Sequence, residues 1–111
     1  MASPQFNIKE NDTTPALKVA LRDARNRVRP LTGATVVFHM RLASDLVVKI
    51  TGGSVGVQDA SLGIVSYTFS ASDTDTAGIY EAEFQVTYSD GTIETFPNDD
   101  YIKVIVVDDV A

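Results

Sequence analysis

The sequence of 111 residues contains no cysteine and no tryptophan, and it has a single histidine. The absence of cysteine excludes disulfide bonds and thiolate metal sites, so packing alone has to hold the fold, which can form in a reducing cytosol. No apolar run approaches the roughly 20 residues that a membrane-spanning helix needs. The amino-terminal segment "MASPQFNIKEN" has neither a basic start nor a long apolar stretch, so we expect no signal peptide.

Motifs that mark catalytic or nucleotide-binding sites are also missing. The sequence contains no G-x-S-x-G, H-E-x-x-H, P-loop or G-x-G-x-x-G pattern. The segment "GGSVG" at 52–56 superficially resembles a phosphate loop, but it lacks the lysine and the following helix, and we interpret it as a turn. The lone His39, and the pair Glu81 and Glu83, fall on outward faces of predicted strands, where solvation explains them without chemistry. The sequence therefore predicts a protein that is not an enzyme.

Basic residues are few and unevenly distributed, and the net charge is −6. Residues 1–50 hold eight Lys and Arg against four Asp and Glu, whereas residues 51–111 hold one Lys against eleven acids. An acidic chain lacks the basic footprint that nucleic-acid binding requires. The uneven charge could favour head-to-tail contact between copies, because opposite potentials steer association. Two solvated faces without a partner are the alternative.

Short segments that alternate apolar and polar residues dominate the chain, and no helical stripe of useful length is present. Turn signals separate them at spacings of about ten residues. The segments span 6–10, 16–23, 34–42, 46–51, 54–58, 64–70, 79–88, 92–96 and 101–108. This pattern predicts a single-domain, all-β, immunoglobulin-like antiparallel β-sandwich of 7–9 strands, with a small barrel as the alternative. We place an amino-terminal arm with a candidate first strand at 1–15, the sandwich at 16–108 and a carboxy-terminal tail at 109–111.

The segment "DTAGIY" at 75–80 predicts a particular corner of such a sandwich. In immunoglobulin-like domains a tyrosine near the start of strand F donates its hydroxyl to the backbone of the preceding corner. We assign that position to Tyr80, with Asp75 bonding local amides and Gly78 supplying a permissive backbone. The centre of the core is expected to be built by three phenylalanines, namely Phe38, Phe69 and Phe84.

Two charged segments are the candidate contact sites. Four arginines lie within eight residues: Arg22, Arg25, Arg27 and Arg29. They lack the interleaved aromatic residues that stack on nucleic-acid bases, so we interpret them as a docking loop for an acidic neighbour, or else as a solvated loop. The acidic counterpart comprises Asp99, Asp100 and the adjacent Tyr101. Turn acids could supply oxygen ligands to calcium, yet their spacing matches no EF-hand loop, and we expect neither a metal site nor a cofactor.

Three blocks of the sequence resemble one phage family: "LRDARNRVRPLTGATVVFHMR" (21–41), "DASLGIVSYTF" (59–69) and "DTDTAGIYEAEFQVTYSDGTIETFPNDDYIKVIV" (73–106). The family is the immunoglobulin-like N-terminal domain of baseplate upper proteins from tailed bacteriophages. The resemblance implies a structural virion module without enzymatic activity. We expect other virion structural proteins as partners, in a homo-oligomer or a ring because virion parts obey point symmetry, and neither nucleic acid nor membrane.

The resemblance also implies a location and a limit. Longer members of the family carry further domains that hold receptor-binding proteins, whereas this sequence stops at Ala111. We therefore expect a tail or baseplate adaptor that does not itself bridge to receptor-binding tips and is assembled into the virion in the host bacterial cytoplasm. The alternatives are a neck or capsid decoration protein, and a host-surface carbohydrate-binding module that uses Tyr101 and Phe96 to stack on sugars. The candidate contact elements are residues 1–15, the arginine hairpin 22–29 and the acidic loop 97–100.

Overall fold

The computed structural model describes residues 4–110, and within that range it contains nine β-strands and no helix. The strands are β1 (Gln5–Lys9), β2 (Leu17–Ala20), β3 (Thr35–Leu42), β4 (Val48–Ser54), β5 (Gly56–Asp59), β6 (Ile64–Tyr67), β7 (Gly78–Thr87), β8 (Ile93–Phe96) and β9 (Ile102–Val107). All nine overlap the segments that the alternation of apolar and polar residues predicts.

The strands form one sheet of six and one of three. The larger sheet has the order β1-β9-β7-β3-β4, with β8 also paired to β7, and the smaller sheet has the order β2-β6-β5. Strands β2, β6 and β5 correspond to B, E and D of an immunoglobulin domain, and β3, β7 and β9 to C, F and G. The predicted immunoglobulin-like sandwich is confirmed, with one correction to its antiparallel character: β1 runs parallel to β9. Two parallel strands that pair in a sheet need a long connecting segment, and here all the strands between β1 and β9 lie in that segment.

Aromatic side chains fill the space between the two sheets. Phe38, Phe69 and Phe84 are all buried, as predicted, and the ring of Phe38 lies 5.0 Å from that of Phe84 and 6.1 Å from that of Phe69, between centroids. Tyr67 joins them, stacked on Phe38 at 4.3 Å. Gly53 leaves room for this ring, because a Cβ at that position would lie 2.7 Å from Cε1 of Tyr67. The core thus depends on a close approach of the β4 backbone to an aromatic ring.

The tyrosine at the start of β7 lies in a corner of the fold. Tyr80 is 2% exposed, and its hydroxyl donates a hydrogen bond of 2.7 Å to the carbonyl oxygen of Thr76. Burial raises the pKa of the Tyr80 phenol. Gly78 precedes it with a φ of 156°, and a Cβ there would come within 3.2 Å of the Leu42 side chain. The bond satisfies a hydroxyl that would otherwise be buried without a partner.

Two aspartates of the same corner differ in their contacts. The carboxylate of Asp75 accepts hydrogen bonds from the Lys49 ammonium and the Thr76 hydroxyl, and the Lys49 bond is the main reason that the pKa of Asp75 is lowered. Asp73 instead accepts from the backbone N–H of Ser70 at 2.9 Å and from the hydroxyl of Tyr67 at 2.7 Å. Asp73 thus bonds a backbone amide of this corner at the Ser70 N–H, and the side-chain bonds of Asp75 join Lys49 and Thr76 to the same corner.

One stretch of alternation was misleading. The pattern at 46–51 groups Leu46, Val48 and Ile50, but only Ile50 is buried, whereas Leu46 is 55% and Val48 63% exposed. Leu46 lies in the turn between β3 and β4 with a φ of +62°. Register irregularities flank Met40 in the β3–β4 pairing, so Val48 pairs with the outward-facing Arg41 while Ile50 pairs with Met40. A bulge of this kind reverses which face a side chain takes.

Replacing Gly53 with alanine tests the close approach of β4 to Tyr67. The added Cβ would force the ring of Tyr67 away from Phe38, so we expect Gly53→Ala to lower the free energy of unfolding by about 1–3 kcal/mol. Chemical denaturation measures this change. Gly56→Ala is the matched control in β5, because its Cβ would meet the flexible end of Gln58 at 3.3 Å and the Ser66 carbonyl oxygen at an ordinary contact distance of 3.9 Å. Equal stability of the two variants would contradict the role given to Gly53.

Stability should also depend on alkaline pH. Burial is the first cause that raises the pKa of Tyr67, Tyr80 and Tyr88 above the ordinary value of 10.0. The stabilisation from keeping these phenols neutral is fully present below about pH 10, where unfolded tyrosine is also neutral, and it is lost as the pH rises further. Denaturant midpoints measured from pH 8 to pH 11 should fall only above about pH 10. Tyr67→Phe should weaken this dependence, and an unchanged profile would contradict the assignment.

Candidate partner-binding surface

One candidate contact element is the arginine hairpin at residues 22–29. The carboxylate of Asp23 organises it: Oδ1 accepts from the backbone N–H of Arg25 at 2.9 Å and of Arg27 at 3.0 Å, and Oδ2 from Nε of Arg27 at 3.0 Å. Asn26 closes the turn with a φ of +63°, a conformation that asparagine tolerates. The amide of Arg27 is the main cause that holds the pKa of Asp23 below its usual range. The hairpin therefore has a fixed conformation.

The four arginines of the hairpin differ in how they are engaged. Arg22 donates to the carbonyl of Asn26 at 3.3 Å, and Arg27 forms the ion pair with Asp23. Arg29 lies 3.4 Å from Glu94, with its guanidinium 5.4 Å from the centroid of the Tyr88 ring. The side chain of Arg25 is exposed and makes no hydrogen bond or ion pair with any residue in the described range 4–110. Arg25 is thus the arginine most available to a partner.

The acidic loop 97–100 packs against this hairpin, and Asn98 joins the two elements. Its Oδ1 accepts from the backbone N–H of Ala24 at 2.9 Å, while its Nδ2 donates to the carbonyl of Thr95 at 2.9 Å and to Glu94 at 3.2 Å. Sequence reasoning missed this residue, although an asparagine that follows proline in a turn is a common source of such bonds. The hairpin and the loop therefore lie side by side on one molecule.

A groove of about 580 Å³ lies between the arginine hairpin and the acidic loop, and we call it the edge groove. Val19, Leu21, Phe96 and Ile102 are the large apolar residues among those that line it. Arg22, Asp99 and Asp100 are among the charged residues that line it, and Pro4 of the amino-terminal arm lines it as well. Part of each candidate contact element thus lines this groove, although Pro4 is the one described residue of the arm that does so. Residues 1–3 of the arm and Ala111 of the tail lie outside the described residues.

The uneven charge along the sequence is partly used inside the domain. Arg29 pairs with Glu94, Arg41 with Glu81 at 2.9 Å, and Lys49 with Asp75, and each pair joins the basic half of the chain to the acidic half. For Arg41 and Glu81 the reason is that β3 and β7 are neighbours in the larger sheet. Partly exposed pairs of this kind contribute little stability. The charge split is therefore in part an internal feature of the fold.

The two aromatic residues considered for sugar stacking lie in different environments. Phe96 is 2% exposed and belongs to the core, so its assignment to a sugar-binding face was wrong. Its position follows from pairing with Phe84 in β7. Tyr101 is 39% exposed, with the guanidinium of Arg41 5.1 Å from its ring centroid and a hydrogen bond of 3.2 Å from Arg41 to its hydroxyl. The ring of Tyr101 is therefore already in contact with a side chain of its own sheet.

The single histidine, His39, forms hydrogen bonds with both neighbouring strands of its sheet. Nδ1 of His39 accepts from the backbone N–H of Gly52 at 3.0 Å, so the ring proton lies on Nε2, which donates to Gln85 at 3.1 Å. Both contacts join neighbouring strands of the larger sheet. Among residues 4–110, no group of three or more His, Asp or Glu side chains is placed to hold a metal ion. The same residues include no helix long and apolar enough to cross a membrane.

Fold and surface together define an immunoglobulin-like β-sandwich that presents a fixed hairpin and loop around an apolar groove. The family model of the BppU N-terminal domain, the N-terminal domain of the baseplate upper protein, matches residues 1–97. The chain belongs to this family of phage baseplate structural proteins. The matched range ends after β8, and β9 completes the larger sheet beyond it. No curated protein matches the chain.

The bond between Asn98 and the arginine hairpin can be tested directly. Asn98→Ala removes the acceptor for the Ala24 amide, so we expect faster hydrogen exchange at Ala24 and a loss of about 1 kcal/mol in the free energy of unfolding. Asp99→Ala, at the exposed neighbouring position, is the matched control and should change neither quantity appreciably. Unchanged exchange at Ala24 in the Asn98 variant would show that the loop does not hold the hairpin.

Proposed function

We propose that this protein is a non-enzymatic adaptor of a tailed-bacteriophage virion, located in the tail or baseplate, that acts through protein–protein contacts. The observation that carries the proposal is the family match over residues 1–97. The geometry supports it, since the hairpin, the loop and the start of the arm converge on one groove. The described residues contain no metal-binding cluster, and the lone His39 is used between strands.

The adaptor works as a rigid domain with contact residues fixed in advance. Asp23 orders the arginine hairpin, and Asn98 fastens the acidic loop to it. Contacts that are ordered before binding lose less conformational entropy when the partner arrives. The exposed guanidinium of Arg25 suits a bidentate pair with a partner carboxylate. The proposed contact set is the one that the sequence indicates: Arg22, Arg25, Arg27, Arg29, Asp99, Asp100 and Tyr101. Arg27, Arg29 and Tyr101 would bind a partner while keeping their contacts to Asp23, Glu94 and Arg41.

The partners in this proposal are other structural proteins of the virion. Copies would be arranged as a ring or homo-oligomer, because a symmetric tail offers the same site repeatedly. Assembly takes place in the host bacterial cytoplasm, and neither nucleic acid nor membrane takes part. Locating the protein in an electron-microscopy map of the particle distinguishes the tail from the neck and the capsid.

Charge reversal at Arg25 tests the hairpin as a contact element. We expect Arg25→Glu to reduce incorporation into phage particles about tenfold, because a lost charge-assisted contact becomes a like-charge repulsion. The thermal midpoint should stay unchanged, since the side chain is exposed and has no partner within residues 4–110. Mass spectrometry of purified particles quantifies the protein.

Lys103→Glu serves as the control for the same change of charge, on the outward face of β9. Because Lys103 stands opposite Glu81, the thermal midpoint of this variant is measured as well. The variant should enter particles like the unmodified protein. Normal incorporation of Arg25→Glu would contradict the proposal that the arginine hairpin contacts a partner. Absence of the unmodified protein from purified virions would overturn the adaptor role itself.

A further inference from the structure

The strand β2 has an open side. It stands at the edge of the smaller sheet, where its only strand neighbour among the described residues is β6. Leu21 directs its backbone toward β6: its N–H donates to the carbonyl of Gly63 at 2.8 Å, and its carbonyl accepts from Arg29 at 3.4 Å. Backbone groups of successive residues point to opposite sides of a strand. Lys18, Ala20 and Arg22 therefore direct their N–H and C=O groups away from the sheet, toward the open side.

The edge groove lies along this open side. Val19 and Leu21 from β2 and its extension, and Phe96 and Ile102 from the larger sheet, give it an apolar lining between the two sheets. The open edge ends at Ala24, because the N–H of this residue, the next one that points outward, already donates to Asn98. The free stretch from Lys18 to Arg22 is about 17 Å long, at roughly 3.3 Å per residue. An unpaired strand edge beside an apolar groove is a template for one more strand.

We propose that the edge groove receives an extended segment of another virion protein, which pairs with β2 as an additional strand. This inference rests on the proposed function, and it adds the mode of contact. Backbone hydrogen bonds to Lys18, Ala20 and Arg22 supply affinity, and apolar side chains at alternate positions of the segment enter the groove.

Charge indicates the chemistry of the segment. The side chains of Lys18 and Arg22 are exposed on the outward face of β2, and Arg25 follows in the hairpin. Oppositely charged side chains directly across neighbouring strands stabilise their pairing. Asp23, Asp99 and Asp100 line the groove itself and would repel acidic side chains there. The segment should therefore carry apolar residues toward the groove and acidic residues only on its outward face, beside Lys18 and Arg22. Lysine on an edge strand discourages indiscriminate pairing, which makes this edge selective for an acidic strand.

A proline substitution tests the added strand. Ala20→Pro removes an N–H that faces the open side and takes no part in the pairing of β2 with β6, so the domain should keep its thermal midpoint. Purified protein is added to tail particles from a phage that lacks the gene, and bound protein is quantified. We expect about tenfold or greater loss of binding for Ala20→Pro, since a factor of ten corresponds to a single hydrogen bond of ordinary strength. Ala20→Val keeps the N–H and should bind like the unmodified protein.

Hydrogen exchange reports the same contact independently. In the isolated protein the amides of Lys18, Ala20 and Arg22 should exchange rapidly, whereas that of Leu21 is protected; on binding to the particles the three rapid amides should slow at least tenfold.

Several outcomes would overturn the inference. If Ala20→Pro bound the particles as well as the unmodified protein, the added strand would be contradicted, and the adaptor role would be unaffected. Protection of the three amides already in the monomer would show that the edge is occupied without a partner, and a dimer that Ala20→Pro abolishes would show that a second copy occupies it. Failure of the unmodified protein to bind the particles at all would instead overturn the proposed function.

Discussion

The pairing of β7 with β3 is the interaction on which the rest of the structure depends. Eight consecutive positions are in register, and they place Phe84 directly opposite Phe38 in a core that no disulfide supports. Because β7 also pairs with β8 and β9, one strand sets the position of every element of the larger sheet except β1 and β4. The bond from Tyr80 to Thr76 then holds the chain at the point where this strand begins.

The candidate contact surface is a consequence of the same strand pairing. Strands β8 and β9 lie along one side of β7, and between Phe96 and Ile102 the chain leaves the sheet and forms the acidic loop. That interruption brings Asn98 to the arginine hairpin, which extends from the end of the opposite sheet. Strands β8 and β9 pair with successive parts of the same side of β7, and the acidic loop separates them. One uninterrupted strand in their place would leave no loop to contact the hairpin, and the groove would not form.

Local patterns predicted the strands and the core, whereas contacts between distant residues had to be observed. Alternation placed all nine strands and the three core phenylalanines, because side chains on opposite faces of a strand meet solvent or core according to their position. The same rule failed at Val48, where the irregular pairing around Met40 reverses the face. Asp73 and Asp75 are alike as turn residues, and they are distinguished by partners in other strands, the Tyr67 hydroxyl for Asp73 and the Lys49 ammonium for Asp75. The bond from Ala24 to Asn98 spans 74 residues, and no local pattern contains it.

The contact role proposed for the arginine hairpin is compatible with its role in the fold, because its arginines differ in how far their own chain engages them. Arg27 and Arg29 are paired with carboxylates of their own chain, and the backbone amide of Arg27 is the main cause that lowers the pKa of Asp23. The hairpin therefore does not need a partner to become ordered. Arg25 and the outward backbone of β2 remain at the surface, beside a groove that already has its shape. In the proposed function, a partner would be recognised by side chains that are ordered before binding and by the edge of β2. Such contacts suit a structural protein, because they hold a partner in place and need no reactive group.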